Sequence, residues 1–262
     1  MSLELLVIQH LDCEGPDLIA ICAAERGMAL SCLRPDRGDP LPDPIHSPPA
    51  IAVVLGGSMG VNERNKLNLE WLETELQWLH AWHKNKRPVL GICLGAQLLA
   101  AAAGGSVEEL RVGEPAKHLR ELGYGAITWR RNPREESLFK GLDQSEMVLH
   151  WHGDRLLLPP GAELLASSLH CEEQAFRIGR HAIGLQFHVE ITGPSLECWI
   201  EADQGYVVGA LGPSGPNRLR RDHERWGARV ERQGRVLIHN ILEQLSAAAL
   251  FLALIKPDVR IK

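Results

Sequence analysis

The run Arg87–Ala103, RPVLGICLGAQLLAAAA, constrains this chain more than any other stretch. A short apolar segment ends at Ile92, a cysteine follows in the pattern G-x-C-x-G, and an alanine-rich helical segment begins at once. A buried strand that turns this sharply into a helix is a βα unit. Gly91 and Gly95 leave room for neighbouring backbone that a side chain would block. The helix directs free N–H groups and the positive end of its dipole at the sulfur of Cys93, surroundings in which a thiolate forms. A structural cysteine in a core needs none of this, although small residues also occur wherever a helix packs on a sheet.

About a hundred residues downstream, HAIGLQFHVE (His181–Glu190) is a second apolar run, ending in His188 and Glu190. Residues two apart in a strand share a face, so an imidazole and a carboxylate can lie side by side at the strand's end. Such a pair supplies what a cysteine nucleophile needs: a base for its proton, then an acid for a leaving amine, with the carboxylate orienting the ring.

The rest of the chain alternates strand and helix signals. Leu3–Gln9, Met28–Leu33, Ile51–Leu55 and Val89–Ile92 read as strands, and Pro16–Arg26 and Asn68–Asn85 as helices. This is an α/β pattern with a parallel sheet and crossover helices, and it places both the Gly56–Gly60 loop and Cys93 just past strand ends, where ligands bind in open sheets. Beyond Gly123 the pattern shifts to short strands, Ala126–Trp129, Met147–His150, Glu163–Ser168 and Ala175–Ile178, which predicts a mixed sheet. Pro35–Pro49 reads as a surface loop.

Four motifs in fixed order, GGSMG (Gly56–Gly60), PVLGICLGAQLLA (Pro88–Ala100), HWHGD (His150–Asp154) and GLQFHVE (Gly184–Glu190), resemble the class I glutamine amidotransferases of the Cys-His-Glu type. The WHGD element and the segments after it are most similar to the stand-alone, GMP-synthetase-like branch. Ser58 stands where the family often has proline. The resemblance implies a three-layer flavodoxin-like fold with a mixed, mainly parallel central sheet over residues 1–190, and leaves 191–262 as a C-terminal helical extension packed on it. It implies attack by Cys93 on the glutamine amide, a γ-glutamyl thioester, and release of ammonia and glutamate. His188 becomes the acid/base, Glu190 its orienting partner, and the backbone N–H groups of Gly57 and Leu94 the oxyanion hole. Gln97 and the segment containing Trp151, Gly153 and Asp154 match substrate-binding positions. No cofactor is implied. The small-molecule substrate is glutamine or a γ-glutamyl compound.

Two other readings use the same residues: a γ-glutamyl peptide hydrolase, favoured by a cleft that admits more than an amino acid, and a non-catalytic or partner-gated subunit, favoured by an inert thiol. The related peptidase-like branch usually has histidine directly after the cysteine, where this chain has Leu94. The Gly56–Gly60 loop has no G-K-[ST] after it and is no phosphate loop. His150 with His152, and His80 with His83, have metal-ligand spacing but no third ligand nearby in sequence, so no metal is expected. Trp71, Trp78 and Trp82 fall on one helix face.

The chain has 262 residues, 45% of them hydrophobic, enough for a full α/β core. A net charge of −5 spread along the chain argues against nucleic acid as partner. Six cysteines without a C-x-x-C pair fit reduced thiols in a cytoplasm. The apolar ends Leu3–Ile8 and Ala247–Ile255 are too short to span a membrane, and no signal peptide is expected. After Glu190 the chain predicts helices over Pro194–Val207 and Arg218–Leu250, separated by the linker GALGPSGPN. Seven arginines between Arg218 and Arg235 make the last one basic, a solvated face or a docking surface or lid. The extension is too short for a synthetase, so an ammonia acceptor is expected on a separate chain.

Overall fold

Five apolar strands form the parallel half of one nine-stranded sheet. The computed structural model describes residues 3–64 and 66–255. In chain order β1 (Glu4–Ile8), α1 (Asp17–Glu25), β2 (Ala29–Leu33), β3 (Ala50–Val54), α2 (Glu70–Lys84), β4 (Val89–Ile92) and α3 (Leu94–Ala102) come first. Short strands β5 (Ser106–Glu109), β6 (Arg111–Val112) and β7 (Lys117–His118) precede the long β8 (Glu121–Trp129) and β9 (Ser145–His152). Then follow β10 (Asp154–Leu157), β11 (Ala162–Ser167), β12 (Ala175–Ile178) and β13 (Ala182–Leu185), and the helices α4 (Gly193–Ala202), α5 (Gln204–Leu211) and α6 (Gly215–Ile255).

The sheet order is β2-β1-β3-β4-β13-β12-β11-β8-β9. From β2 to β13 every neighbour is parallel, in a flavodoxin-like order, and from β13 to β9 every neighbour is antiparallel. This is the expected mixed α/β sheet. Strand periodicity divides its parallel half into two apolar layers. Leu5 and Val7 of β1 and Ile51 and Val53 of β3 face α1 and α6, whereas Leu6, Ile8, Ala52 and Val54 face α2 and α3. Continuous apolar runs result because both faces are covered.

Helix α2 puts Trp78 and Trp82 into the second layer, their rings 4.8 Å apart, as the spacing predicts. The proline-rich connection from β2 to β3 is pinned to this layer, since the Trp78 indole donates to the Pro42 carbonyl at 2.7 Å.

Three features differ from the sequence expectation. The predicted helix Pro194–Val207 is two helices, broken at Asp203, and the following linker shrinks to residues 212–214 because α5 and α6 absorb its flanks. The basic stretch of α6 is stitched to the body rather than simply solvated: Arg220 pairs with Glu197, Arg229 with Asp143 and Glu146, and Arg235 with Glu25. Lastly, α6 is by length and composition apolar enough to cross a membrane, with mean hydropathy 1.6 over an 18-residue window. His239, Asn240, Glu243 and Gln244 punctuate that run in sequence but leave its average high. In the fold its inner face, Leu237, Ile238, Ile241, Leu242 and Leu245, is buried in the layer with α1.

Helix α3 sits unusually close to the sheet. A Cβ at Gly95 would lie 2.0 Å from the Val54 carbonyl oxygen, and one at Gly91 would lie 2.4 Å from the Gly95 oxygen. These are backbone atoms with nowhere to go. Gly95→Ala is expected to destabilise the protein by about 3 kcal/mol. Gly205→Ala, where nothing lies within 4 Å and the backbone is helical, should instead be stabilising by about 0.5 kcal/mol. Urea melts of both variants check this pair, and equal effects would refute the close-packing account.

Candidate active site

The turn between β4 and α3 holds Cys93 at φ 51°, ψ −108°, a left-handed backbone that a cysteine rarely adopts. Two hydrogen bonds lock it there. The Cys93 N–H donates to the Leu185 carbonyl of β13 at 2.8 Å, and the Gly95 N–H donates to the Leu55 carbonyl after β3 at 3.2 Å. The side chain is thereby presented at the carboxyl edge of the sheet, 7% exposed, with its thiol 3.7 Å from the Trp151 carbonyl.

His188 and Glu190 arrive from the end of β13, but not within it. The strand stops at Leu185, three residues short of the histidine, because pairing moves from β12 to β9: the Gln186 N–H donates to the Gln174 carbonyl, and the His188 N–H to Leu149 at 2.9 Å. The chain bends on either side of the isolated His188–Leu149 bridge, and the two side chains still meet. His188 Nδ1 is 2.7 Å from Glu190 Oε1, and the other carboxylate oxygen accepts from the Val189 N–H at 2.9 Å. Both residues are buried. Burial opposes charge on His188, but the Glu190 carboxylate and a hydrogen bond with the Cys93 thiol outweigh it and hold the imidazole pKa well above its ordinary value. Trp199 of α4 packs edge-on against the ring at 4.7 Å.

A cleft of about 240 Å³ opens over Cys93. Gly57, Gln97, Trp151, Gly153, Asp154 and His188 all border it. Glu190 lies behind His188. Leu94 offers backbone, its side chain being buried in the layer under α3. No hydrogen bond within the described residues occupies the N–H of Gly57 or of Leu94. The Gln97 amide donates to Gln186 at 3.2 Å, which fixes it one turn beyond the cysteine.

Several residues of the site carry no sequence signal. His10, at the end of β1, holds the Gly56 carbonyl through Nδ1 at 2.7 Å and Glu75 of α2 through Nε2 at 3.1 Å. Both side chains are completely buried. Burial works against the charged ring, yet Glu75 and the Gly56 carbonyl raise its pKa. The pair thus fixes the glycine loop beside Cys93. A Cβ at Gly56 would lie 2.5 Å from Glu14 Oε2 and 3.2 Å from His188 Cε1, so the glycine leaves room for the Glu14 carboxylate beside the histidine. Glu14 itself borders the cleft, and burial pushes its pKa up to about 7 against the opposing pull of His188. The cleft's outer wall comes from the C-terminal extension: Trp199, Asp203, which accepts from the Trp151 indole at 3.2 Å, and Tyr206, under the Arg120 guanidinium at 4.5 Å.

His80 and His83 do not converge on a metal position, because His80 donates to the Ala102 carbonyl and His83 meets His181. His150 and His152 are another matter, since Glu121 lies beside them. Burial pushes His150 down to about 4. Burial also opposes ionisation of Glu121, but His152, His150 and Ser168 hold its carboxyl at about 2.

The raised pKa of His10 stabilises the fold fully below the ordinary histidine value of 6.5, and that contribution is lost as pH rises through the higher folded value. Glu75→Gln should therefore cost about 3 kcal/mol near neutral pH and flatten the decline in stability as pH rises above about 6.5. Urea melts across that range check it; a parallel pH slope in the variant would refute the pair's role.

Residues 17–197 match the family model described as glutamine amidotransferase class I. YfeJ, a glutamine amidotransferase-like protein of Salmonella typhimurium, is 30% identical over 191 residues, covering 72% of this chain and 77% of that protein. The glutamine-hydrolysing GMP synthase of Porphyromonas gingivalis is 40% identical over 110 residues, 41% of this chain, and the match spans a fifth of the synthase's length. A crystal structure of a glutamine amidotransferase from Thermotoga maritima superposes with a TM-score of 0.79 at 28% identity, over 93% of this chain and 99% of that one.

Proposed function

We propose that this chain, which belongs to the class I glutamine amidotransferase family, hydrolyses the side-chain amide of glutamine through a thioester on Cys93. The observation that carries the reading is the alignment of the Cys93 thiol, the His188 ring and the Glu190 carboxylate at one sheet edge, with a bordering cleft. Glu190 takes the Nδ1 side of the ring, which leaves Nε2 for the sulfur. His188 accepts the thiol proton, sulfur attacks the amide carbon, and negative charge develops on the amide oxygen. The unoccupied N–H groups of Gly57 and Leu94 are the donors for that oxyanion, each worth about 3 kcal/mol in such a role. Protonation by His188 expels ammonia. Water, deprotonated by the same ring, then cleaves the thioester to glutamate. Gln97 contacts the substrate amide, and Trp151, Gly153 and Asp154 receive the amino-acid end. The strained turn at Cys93 supports this role, since such strain persists where a nucleophile must stand clear of the backbone.

The cleft over Cys93 has room for a glutamine side chain. Ammonia released there can serve an acceptor enzyme, such as a synthetase on another chain. The work is that of an enzyme without cofactor, acting among reduced thiols in a cytoplasm.

Ammonia and glutamate release from glutamine, measured beside three variants, tests the reading. Cys93→Ala and His188→Ala should each lower kcat/KM by at least ~10³-fold, and Glu190→Gln by a smaller factor, because the carboxylate orients a ring that moves the proton. Turnover by Cys93→Ala near the parent rate, or a greater loss at Glu190 than at His188, would overturn it. Cleavage of γ-glutamyl peptides with glutamine untouched would move the chain to a peptide hydrolase.

A further inference from the structure

His150 and His152 gain in the fold the third neighbour that their sequence context lacks. Residues two apart on β9 share a face, and Glu121 at the start of β8 is the register partner of His152. Its Oε2 lies 3.1 Å from His152 Nε2 and 3.9 Å from His150 Nδ1, with side-chain exposures of 8%, 1% and 5%. His150 Nδ1 is buried without a hydrogen-bond partner. The Nδ1 of His152 donates to the Asp154 carbonyl at 2.9 Å, which directs its Nε2 at the Glu121 carboxylate oxygen. The Gln174 amide nitrogen reaches the same spot, 2.7 Å from Glu121 Oε2 and 3.3 Å from His152 Nε2, while its own Oε1 is buried without a partner. Two imidazole nitrogens and a carboxylate oxygen thus converge within 4.8 Å of one another, one of the nitrogens without a partner.

We propose that His150 Nδ1, His152 Nε2 and Glu121 Oε2 form a site for one divalent transition-metal ion, with zinc(II) the best match. Tetrahedral zinc bonds of about 2.0–2.1 Å place ligand atoms about 3.4 Å apart, and the separations of 3.1 and 3.9 Å bracket that value. Two imidazoles and one carboxylate select zinc or cobalt over magnesium or calcium. With the Gln174 amide turned over, its oxygen supplies a fourth donor. His152 borders the cleft, which gives the ion a way in. Bound there, the metal is structural: it ties β8 to β9 on either side of Trp151, whose carbonyl meets the Cys93 thiol. The rival occupant is a proton on His152, which satisfies the pair with Glu121 and leaves His150 Nδ1 unpartnered.

The test uses the full chain carrying Cys93→Ala, so that the cleft thiol cannot bind the probe and glutamine hydrolysis plays no part. Zinc chloride titrated calorimetrically should bind at one equivalent, and cobalt(II) should give visible d–d absorption of a tetrahedral site. His150→Phe, which removes no existing hydrogen bond of Nδ1 and leaves the Glu121–His152 pair in place, should weaken zinc at least ~10-fold. Equal affinity in His150→Phe, or no binding by the parent, would overturn the site in favour of the proton. Should His150→Phe fail to fold, X-ray absorption at the zinc edge of the parent decides. Two imidazole nitrogens without sulfur support the site, and a sulfur ligand refutes it.

Discussion

The structure depends on the contact of α3 with the sheet, where Gly91 and Gly95 let backbone meet backbone. A side chain at either position would lift the helix off β3 and β4. With the helix seated, the single residue between Ile92 and Leu94 has to reverse direction, and a left-handed φ of 51° at Cys93 follows. Such a conformation costs of the order of 1–3 kcal/mol in a residue with a Cβ. The hydrogen bonds from Cys93 and Gly95 to the flanking strands, and the fully buried Leu98 and Leu99 of α3, offset it. Strain at the cysteine and close packing below it are one feature.

The remaining parts of the site are braced against that fixed point from distant places. His10 and Glu75 bring the ends of β1 and the body of α2 onto the Gly56 carbonyl. Helix α6 braces the other side: a Cβ at Gly234 would lie 2.5 Å from the Val189 carbonyl, between His188 and Glu190. The Leu18 N–H at the start of α1 donates to the Glu190 carbonyl at 3.1 Å. The C-terminal extension therefore belongs to the same packed unit as the sheet edge it supports.

What could be read from sequence is what local pattern encodes. The elbow at Cys93, the parallel strands and the spacing of His188 and Glu190 each rest on residues a few positions apart, where periodicity and turn chemistry have direct expression. Pairings between distant residues have no such expression. His10 and Glu75 are 65 residues apart, and Glu121 lies 31 positions before the His152 it faces. The end of β13 at Leu185 was equally hidden, because continued apolar sequence does not reveal that the partner strand has changed. At the break between α4 and α5, Asp203 likewise accepts from the Trp151 indole, a tertiary contact.

Reactivity and selectivity are divided along the chain. The proposed nucleophile, base and oxyanion donors stand on strand ends and the first turn of α3, elements with no freedom to move because both sheet faces are packed. The outer wall, with Trp199, Asp203 and Tyr206, stands on two short helices whose faces toward solvent are largely exposed. Of these, Trp199 touches the His188 ring. The proposed reaction centre thus stands on the sheet edge, and the extension contributes a wall of the cleft in front of it.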